Sequence, residues 1–353
     1  MLYNVFADDR TILDLLSPLL EKNEKIELHP LSSILDAEIR EDEVALVYTS
    51  ELNTVHRLYQ AMKHQTHIVA IVKNGNLSGD ILFHPQISVL KEPLKTDTLH
   101  KAFENLRYYK KMNAAISCHV AGKSSSMQAL RDSIILASRK SYPIHLSGET
   151  GTGKTLAARL IHHHSGLRKK LVYINCANLN SSLSDSDLFG HIKGSFTNAA
   201  QSRQGLLERA NESTLFLDEI GDLPEEIQGK LLDTIENGFY RSIGSDEEKH
   251  SSFRLITAGQ QSLDKLLEMK KLRKDFYYRI SNVHVEIAPL REHLEDIPDI
   301  VENYERNNRI QDCRIDDYRS LMYRTWPGNV RELIHHLDRI HMNLSTDKPV
   351  DED

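Results

Sequence analysis

An α/β fold built on parallel sheets is what this sequence predicts, and three observations carry the prediction. Short apolar runs (Leu2 to Ala7, Val44 to Tyr48, Ile68 to Val72, Ile87 to Leu90) alternate with helical spacing such as Leu13-Leu16-Leu19-Leu20 over the first part of the chain. Farther on, Ile144-His145-Leu146 enters a glycine-rich turn that leaves through the helical pattern Leu156 to Ile161. A third apolar run, Thr214-Leu215-Phe216-Leu217, ends in Asp218-Glu219. Strands that are apolar throughout and alternate with helices are expected to be buried on both faces of a parallel sheet. At 353 residues the chain has room for about two domains.

The elements are justified in chain order. Residues 1–106 read as a small βα sandwich, whose last helix carries Leu99, Phe103, Leu106 and Tyr109 on one side. That helix runs through Tyr108-Tyr109-Lys110-Lys111, so 107–118 reads as a linker helix. Residues 119–345 hold both remaining signals and form a second domain, and Asp351-Glu352-Asp353 lies in an acidic tail over 346–353.

The turn reads Gly148-Glu149-Thr150-Gly151-Thr152-Gly153-Lys154-Thr155, between a strand and a helix. Glycines let the backbone curl so that N–H groups point inward, and the helix that follows presents unpaired donors and its positive dipole end to an anion. Lys154 adds a mobile charge for the outer phosphates of ATP or GTP, and the Thr155 hydroxyl suits Mg2+. Asp218 completes the Mg2+ shell, and Glu219 is placed to orient a water toward a γ-phosphate. Hydrolysis, and not binding alone, is the expectation.

Composition narrows the class. Cys118, Cys176 and Cys313 have no metal-ligand spacing and are odd in number, so reduced thiols in the cytoplasm are expected. Asp8-Asp9 stands where a signal peptide would be basic, and no apolar run approaches the ~18 residues of a membrane span. The net charge of −7, without a long basic run, is not the footprint of a strong nucleic-acid binder. His162-His163-His164 does not read as a metal site, because consecutive helical residues point about 100° apart.

Two resemblances follow from these residues. The first domain resembles response-regulator receivers: Asp8-Asp9 ends the first strand, and Lys91-Glu92-Pro93-Leu94 resembles the lysine-proline step after the last. The third strand ends Tyr48-Thr49-Ser50, without the phosphate-accepting aspartate, and the fourth ends Val72-Lys73, without the usual Ser or Thr. The resemblance therefore implies a receiver-like domain without aspartyl-phosphate chemistry. Asp8 and Asp9 read equally as solvated acids or as residual metal ligands.

The second domain resembles the AAA+ central domain of bacterial enhancer-binding proteins, the activators of sigma-54 RNA polymerase. The matching segments are Gly122 to Met127, Tyr173-Ile174-Asn175-Cys176-Ala177, Asp187 to Ala199, Leu272 to Ile280, Pro289-Leu290-Arg291-Glu292 and Trp326 to Leu333. The resemblance implies an α/β ATPase subdomain over 119–288 and a helical lid over 289–345. It makes Asn175 the switch partner of Glu219, Arg273 and Arg279 fingers for a neighbouring subunit's ATP, and Arg331 the sensor arginine of the lid. Fingers supplied in trans imply a ring, expected to be a hexamer, and Gly194-Ser195-Phe196-Thr197-Asn198-Ala199 becomes the loop that meets the sigma-54 holoenzyme.

Three departures qualify the resemblance. Asn198 replaces the loop's second glycine, and Gly259-Gln260 stands where a sensor Thr-Asn is usual, with Gln260 left to reach the γ-phosphate or an ordered water. The chain given stops soon after the lid, so sequence-specific DNA binding is not expected from it. The function implied is ATP-driven remodelling of sigma-54 RNA polymerase; the alternatives are a nucleotide-gated protein in mixed rings with a homologous full-length activator, and an ATPase with another client.

Overall fold

The computed structural model describes residues 2–7, 11–17, 25–31, 44–49, 67–72, 87–91, 96–179, 183–195, 201–308 and 319–341. Asp8, Asp9, Ser50, Lys73, Glu92 to Leu94, Phe196 to Ala199, Cys313 and the acidic tail lie outside the described residues. The chain forms two compact units, Met1–Ile135 and Leu136–Asp353.

The first unit is a five-stranded parallel sheet of β1 (Leu2–Phe6), β2 (Lys25–His29), β3 (Val44–Thr49), β4 (His67–Val72) and β5 (Ile87–Lys91), in the order β2-β1-β3-β4-β5. This is the flavodoxin-like order of doubly wound sheets. Four strands fall on the apolar runs read from the sequence. The fifth, β2, is the edge strand Lys-Ile-Glu-Leu-His, exposed or half-buried along its length, and it carries no such run. Alternation along the strands splits the core: Val5, Leu46, Val69 and Ile71 pack with Leu99, Phe103 and Leu106 on one face, and Phe6, Ala45, Val47, Ile68 and Ala70 on the other. Full burial of side chains such as Phe103 and Leu106 stabilises by roughly 2–3 kcal/mol each.

The helix that carries Leu99 and Phe103 is continuous over Thr96–Ser117, so the residues read as the first domain's last helix and those read as a linker are one rod. Tyr109, Gln128 and Asp132 join it to the helix Ser125–Ser138 through a buried hydrogen-bonded cluster. Burial pushes the Asp132 carboxyl up to about 6, against hydrogen bonds from Tyr109 and Gln128.

The second unit holds β6 (Ile144–Ser147), β7 (Val172–Asn175), β8 (Thr214–Asp218), the antiparallel hairpin β9 (Phe239–Arg241) and β10 (Glu248–His250), β11 (Arg254–Gly259) and β12 (Val283–Glu286). The main sheet is parallel throughout, in the order β12-β6-β11-β8-β7. This order seats β6 between β12 and β11, and β8 between β11 and β7. The glycine-rich turn and the Asp-Glu pair therefore emerge at the same C-terminal edge, where open parallel sheets bind their ligands.

Candidate nucleotide site

Every residue of β6 is buried, and the turn after it hands over directly to the helix Lys154–His163. Gly153 caps that helix at φ 106°, a left-handed conformation that side chains disfavour. At Gly151 the constraint is space, since a Cβ would lie 2.1 Å from the Gly328 carbonyl oxygen. Lys154 curls back over the loop, and its Nζ donates to the carbonyls of Gly148 at 2.7 Å and Glu149 at 3.1 Å. Burial pushes its pKa down, while the carboxylates of Glu219 and Asp218 hold it up.

The register of β7 against β8 sets Asn175 beside Asp218. Asp218 Oδ2 lies 3.4 Å from the Thr155 hydroxyl and accepts from the Tyr173 hydroxyl at 3.2 Å, while its Oδ1 accepts the Glu219 backbone N–H at 3.1 Å. Glu219 follows in the left-handed region at φ 53° and ψ 54°, a rare conformation for a non-glycine residue and one met at functional turns. The Asn175 side chain accepts from Ala177 N at 2.9 Å, capping the short helix Cys176–Asn178.

A cleft of about 350 Å3 collects Thr150, Gly151, Gly153, Lys154, Thr155, Asp218 and Glu219 with Val330, Arg331, Ile334 and His335 of the helix Asn329–His341. Residues read separately from three stretches of sequence thus share one space. Gly148, Glu149, Thr152, Asn175 and Gln260 lie outside its lining, with Gln260 exposed just past β11. Arg273 and Arg279 also lie outside it. Both are exposed on the segment that forms the helix Lys274–Ile280; Arg273 pairs with Asp275 at 2.8 Å and Arg279 donates to the Ile235 carbonyl at 2.9 Å.

One device escaped the sequence reading. Arg291 grips the Glu149 carboxylate through two bonds of 2.8 and 2.7 Å, and Asn329 Nδ2 donates to the same carboxylate at 3.2 Å and to the Thr150 carbonyl at 3.0 Å. Asn329 Oδ1 accepts from Leu290 N at 2.8 Å, and Arg331 N donates to the Gly151 carbonyl at 3.2 Å. Hydrogen bonds from Arg291, then Asn329, pull the Glu149 pKa down to about 2. Glu149 and Asn329, which sit in separate motifs of the sequence, meet in the structure as a latch between the glycine-rich turn and the helix Asn329–His341.

Of the loop Gly194 to Ala199, the structure describes Gly194, at φ 83°, and Ser195. Its stem is closed by reciprocal backbone bonds between His191 and Arg203 at 3.0 and 2.9 Å.

Comparison with known proteins places these features. The sigma-54 interaction domain matches residues 120–286. The chain is 39% identical over 228 residues to the transcriptional regulator VasH of Vibrio cholerae, covering 63% of this chain and 43% of that protein. It is 36% identical over 245 residues to the formate hydrogenlyase transcriptional activator FhlA of Escherichia coli, covering 67% of this chain and 35% of FhlA. It thus spans less than half the length of these two relatives. With the response regulator PilR of Pseudomonas aeruginosa the identity is 34% over 303 residues, 82% of this chain and 68% of PilR. The fold is similar to that of NtrX from Brucella abortus crystallised with ATP, at a TM-score of 0.58 and 24% identity over 99% of this chain and 82% of that one. With a P-loop in the place the sequence predicts and a relative of this identity matched over two thirds of its length, the chain belongs to the family of transcriptional regulators that carry the sigma-54 interaction domain.

Proposed function

We propose that this chain is an AAA+ ATPase that couples hydrolysis to remodelling of the sigma-54 RNA polymerase holoenzyme, so that the promoter opens. The observation that carries the proposal is the single cleft in which Lys154, Thr155, Asp218 and Glu219 meet Arg331 of the lid. The phosphates of ATP would lie over the helix that starts at Lys154, whose N-terminal donors and dipole favour them. Lys154 exchanges its bonds to the loop carbonyls for bonds to phosphate oxygens. The Thr155 hydroxyl and Asp218 carboxylate, an all-oxygen pair 3.4 Å apart, suit Mg2+, which when bound neutralises charge on the phosphate oxygens. Glu219 orients the attacking water and takes its proton as the bond from water oxygen to γ-phosphorus forms and the bond to the ADP oxygen breaks.

The guanidiniums of Arg273 and Arg279, exposed outside the cleft of their own chain, would exchange their bonds to Asp275 and the Ile235 carbonyl for a neighbour's phosphates in a hexameric ring, where charge spread over the transferring phosphoryl group is met by a finger worth on the order of 10³ to 10⁵ in rate. Movement of the loop Gly194 to Ala199 would pass the work of hydrolysis to sigma-54.

Steady-state hydrolysis across a protein concentration series, with Arg273→Ala and Arg279→Ala alongside, tests this reading. Specific activity rises with concentration and collapses in both variants. A protein that binds ATP without turnover at every concentration instead acts as a nucleotide-gated partner in mixed rings with a homologous activator.

A further inference from the structure

His145 lies in the middle of β6, fully buried, on the strand that delivers the phosphate loop. Register places it beside Thr257 of β11 and His284 of β12. Its ring is engaged at both nitrogens: Nδ1 is 2.9 Å from the Thr257 hydroxyl and Nε2 is 3.1 Å from the Gln261 carbonyl oxygen. The His284 ring stacks on it with centroids 5.7 Å apart, and His284 Nε2 is itself 2.6 Å from the Ser147 hydroxyl.

A carbonyl oxygen only accepts, so Nε2 must carry the hydrogen, and Nδ1 is then the acceptor for the threonine hydroxyl. One tautomer satisfies both partners. Leucine or valine at 145 would complete the sheet without the cost of burying an imidazole, but would leave the Gln261 carbonyl without this donor.

What the bond holds is specific. The Gly148 N–H, at the start of the phosphate loop, donates to the Gly259 carbonyl at 3.2 Å. Gln260 is therefore the middle of a three-residue turn pinned at both ends to the strand of the phosphate loop, at Gly259 by Gly148 and at Gln261 by His145. Gly148 also supplies the carbonyl that Lys154 Nζ holds at 2.7 Å, so the turn and the phosphate lysine share one anchor. Next in sequence, Ser262 caps the helix Leu263–Glu268.

We infer that His145 is a positioning residue, whose Nε2–H bond to Gln261 fixes the turn bearing Gln260 against the phosphate loop for the hydrolytic step. The inference rests on the proposed ATPase function, but the clamp itself is independent of turnover. His145→Leu removes the donor, and His145→Gln places an amide N–H within similar reach.

Hydrogen–deuterium exchange of the full chain reads the clamp, while nucleotide Kd and kcat read its consequence. In His145→Leu, exchange over 259–263 rises roughly tenfold with β8 unchanged, as a locally opened turn requires. Its kcat falls by about tenfold while the Kd for ATP stays within about threefold, and His145→Gln recovers most of both losses. Unchanged exchange in His145→Leu overturns the clamp. Unchanged kcat, equal losses in kcat and affinity, or no recovery in His145→Gln overturns the positioning role. Should His145→Leu fail to fold, His145→Met, a flexible apolar side chain with no donor for the Gln261 carbonyl, must raise exchange over the same turn, and unaltered exchange there overturns the inference. A wild-type chain that binds ATP and never hydrolyses it defeats the ATPase reading alone, because the exchange comparison still decides the clamp.

Discussion

At the residue scale, Lys154 and His145 show how burial assigns work to a side chain. Lys154 is a cation 7% exposed, held by two loop carbonyls that a phosphate would replace as partner. Lys154→Ala removes a charge-assisted bond to the nucleotide, at a cost of about 3 kcal/mol or roughly a hundredfold in Kd, and titration with a fluorescent ATP analogue measures it. His145 gives the pH prediction. Burial lowers its pKa from 6.5 to about 4, so the folded chain binds this proton less readily than the unfolded chain does. Its contribution to stability is whole above pH 6.5 and is lost as pH falls toward 4, by about 3 kcal/mol over that window. Urea midpoints at pH 7, 5 and 4 should therefore fall more steeply with acid in the wild type than in His145→Gln. Parallel declines would show that position 145 does not carry the linkage.

At the element scale, Asn329 joins the Arg291 grip in fastening the helix Asn329–His341 to the glycine-rich turn: it is fully buried, has φ 55° and makes three hydrogen bonds through its side chain. Two separate properties are combined there, a left-handed backbone and a side-chain latch. Asn329→Gly keeps the first and loses the second, whereas Asn329→Ala loses both. Both variants should melt lower than the wild type, with the glycine variant the milder by about 1 kcal/mol, the penalty of a Cβ in that conformation. Thermal unfolding of the three proteins checks the order, and an alanine variant as stable as glycine removes the backbone argument.

The same latch shows what was legible in the sequence. The glycine-rich turn and the Asp-Glu strand announce themselves because each sits within a few consecutive residues, next to an apolar run. Glu149 reaches Arg291 across 142 positions and Asn329 across 180, so no local pattern encodes the contact. Strand β2 was missed because an edge strand needs little apolar sequence, and the hairpin β9–β10 because strands of three residues leave almost no periodicity. The division at 106 and 107 falls within a single helical rod, because the charged stretch Tyr108 to Lys111 that marks it in the sequence leaves the backbone unbroken.

At the scale of the whole molecule, the proposed reaction predicts that one chain alone lacks part of its machinery. Glu219 lies in the cleft with Lys154, whereas Arg273 and Arg279 are exposed outside it, one paired with Asp275 and the other with a backbone carbonyl. If the fingers act in trans, every competent site combines Glu219 of one copy with the arginines of the next. Glu219→Gln then has an impaired site and intact fingers, while Arg273→Ala has an intact site and an impaired finger. Each should be nearly inactive alone. Mixed in equal amounts around a closed ring, roughly a quarter of the interfaces join an intact site to intact fingers, so a comparable fraction of wild-type turnover should return. Recovery from two inactive proteins has no counterpart for fingers acting within their own chain. A mixture as inactive as its components, at a concentration where both assemble by light scattering, would place the catalytic arginine within a single subunit or remove Arg273 from the reaction.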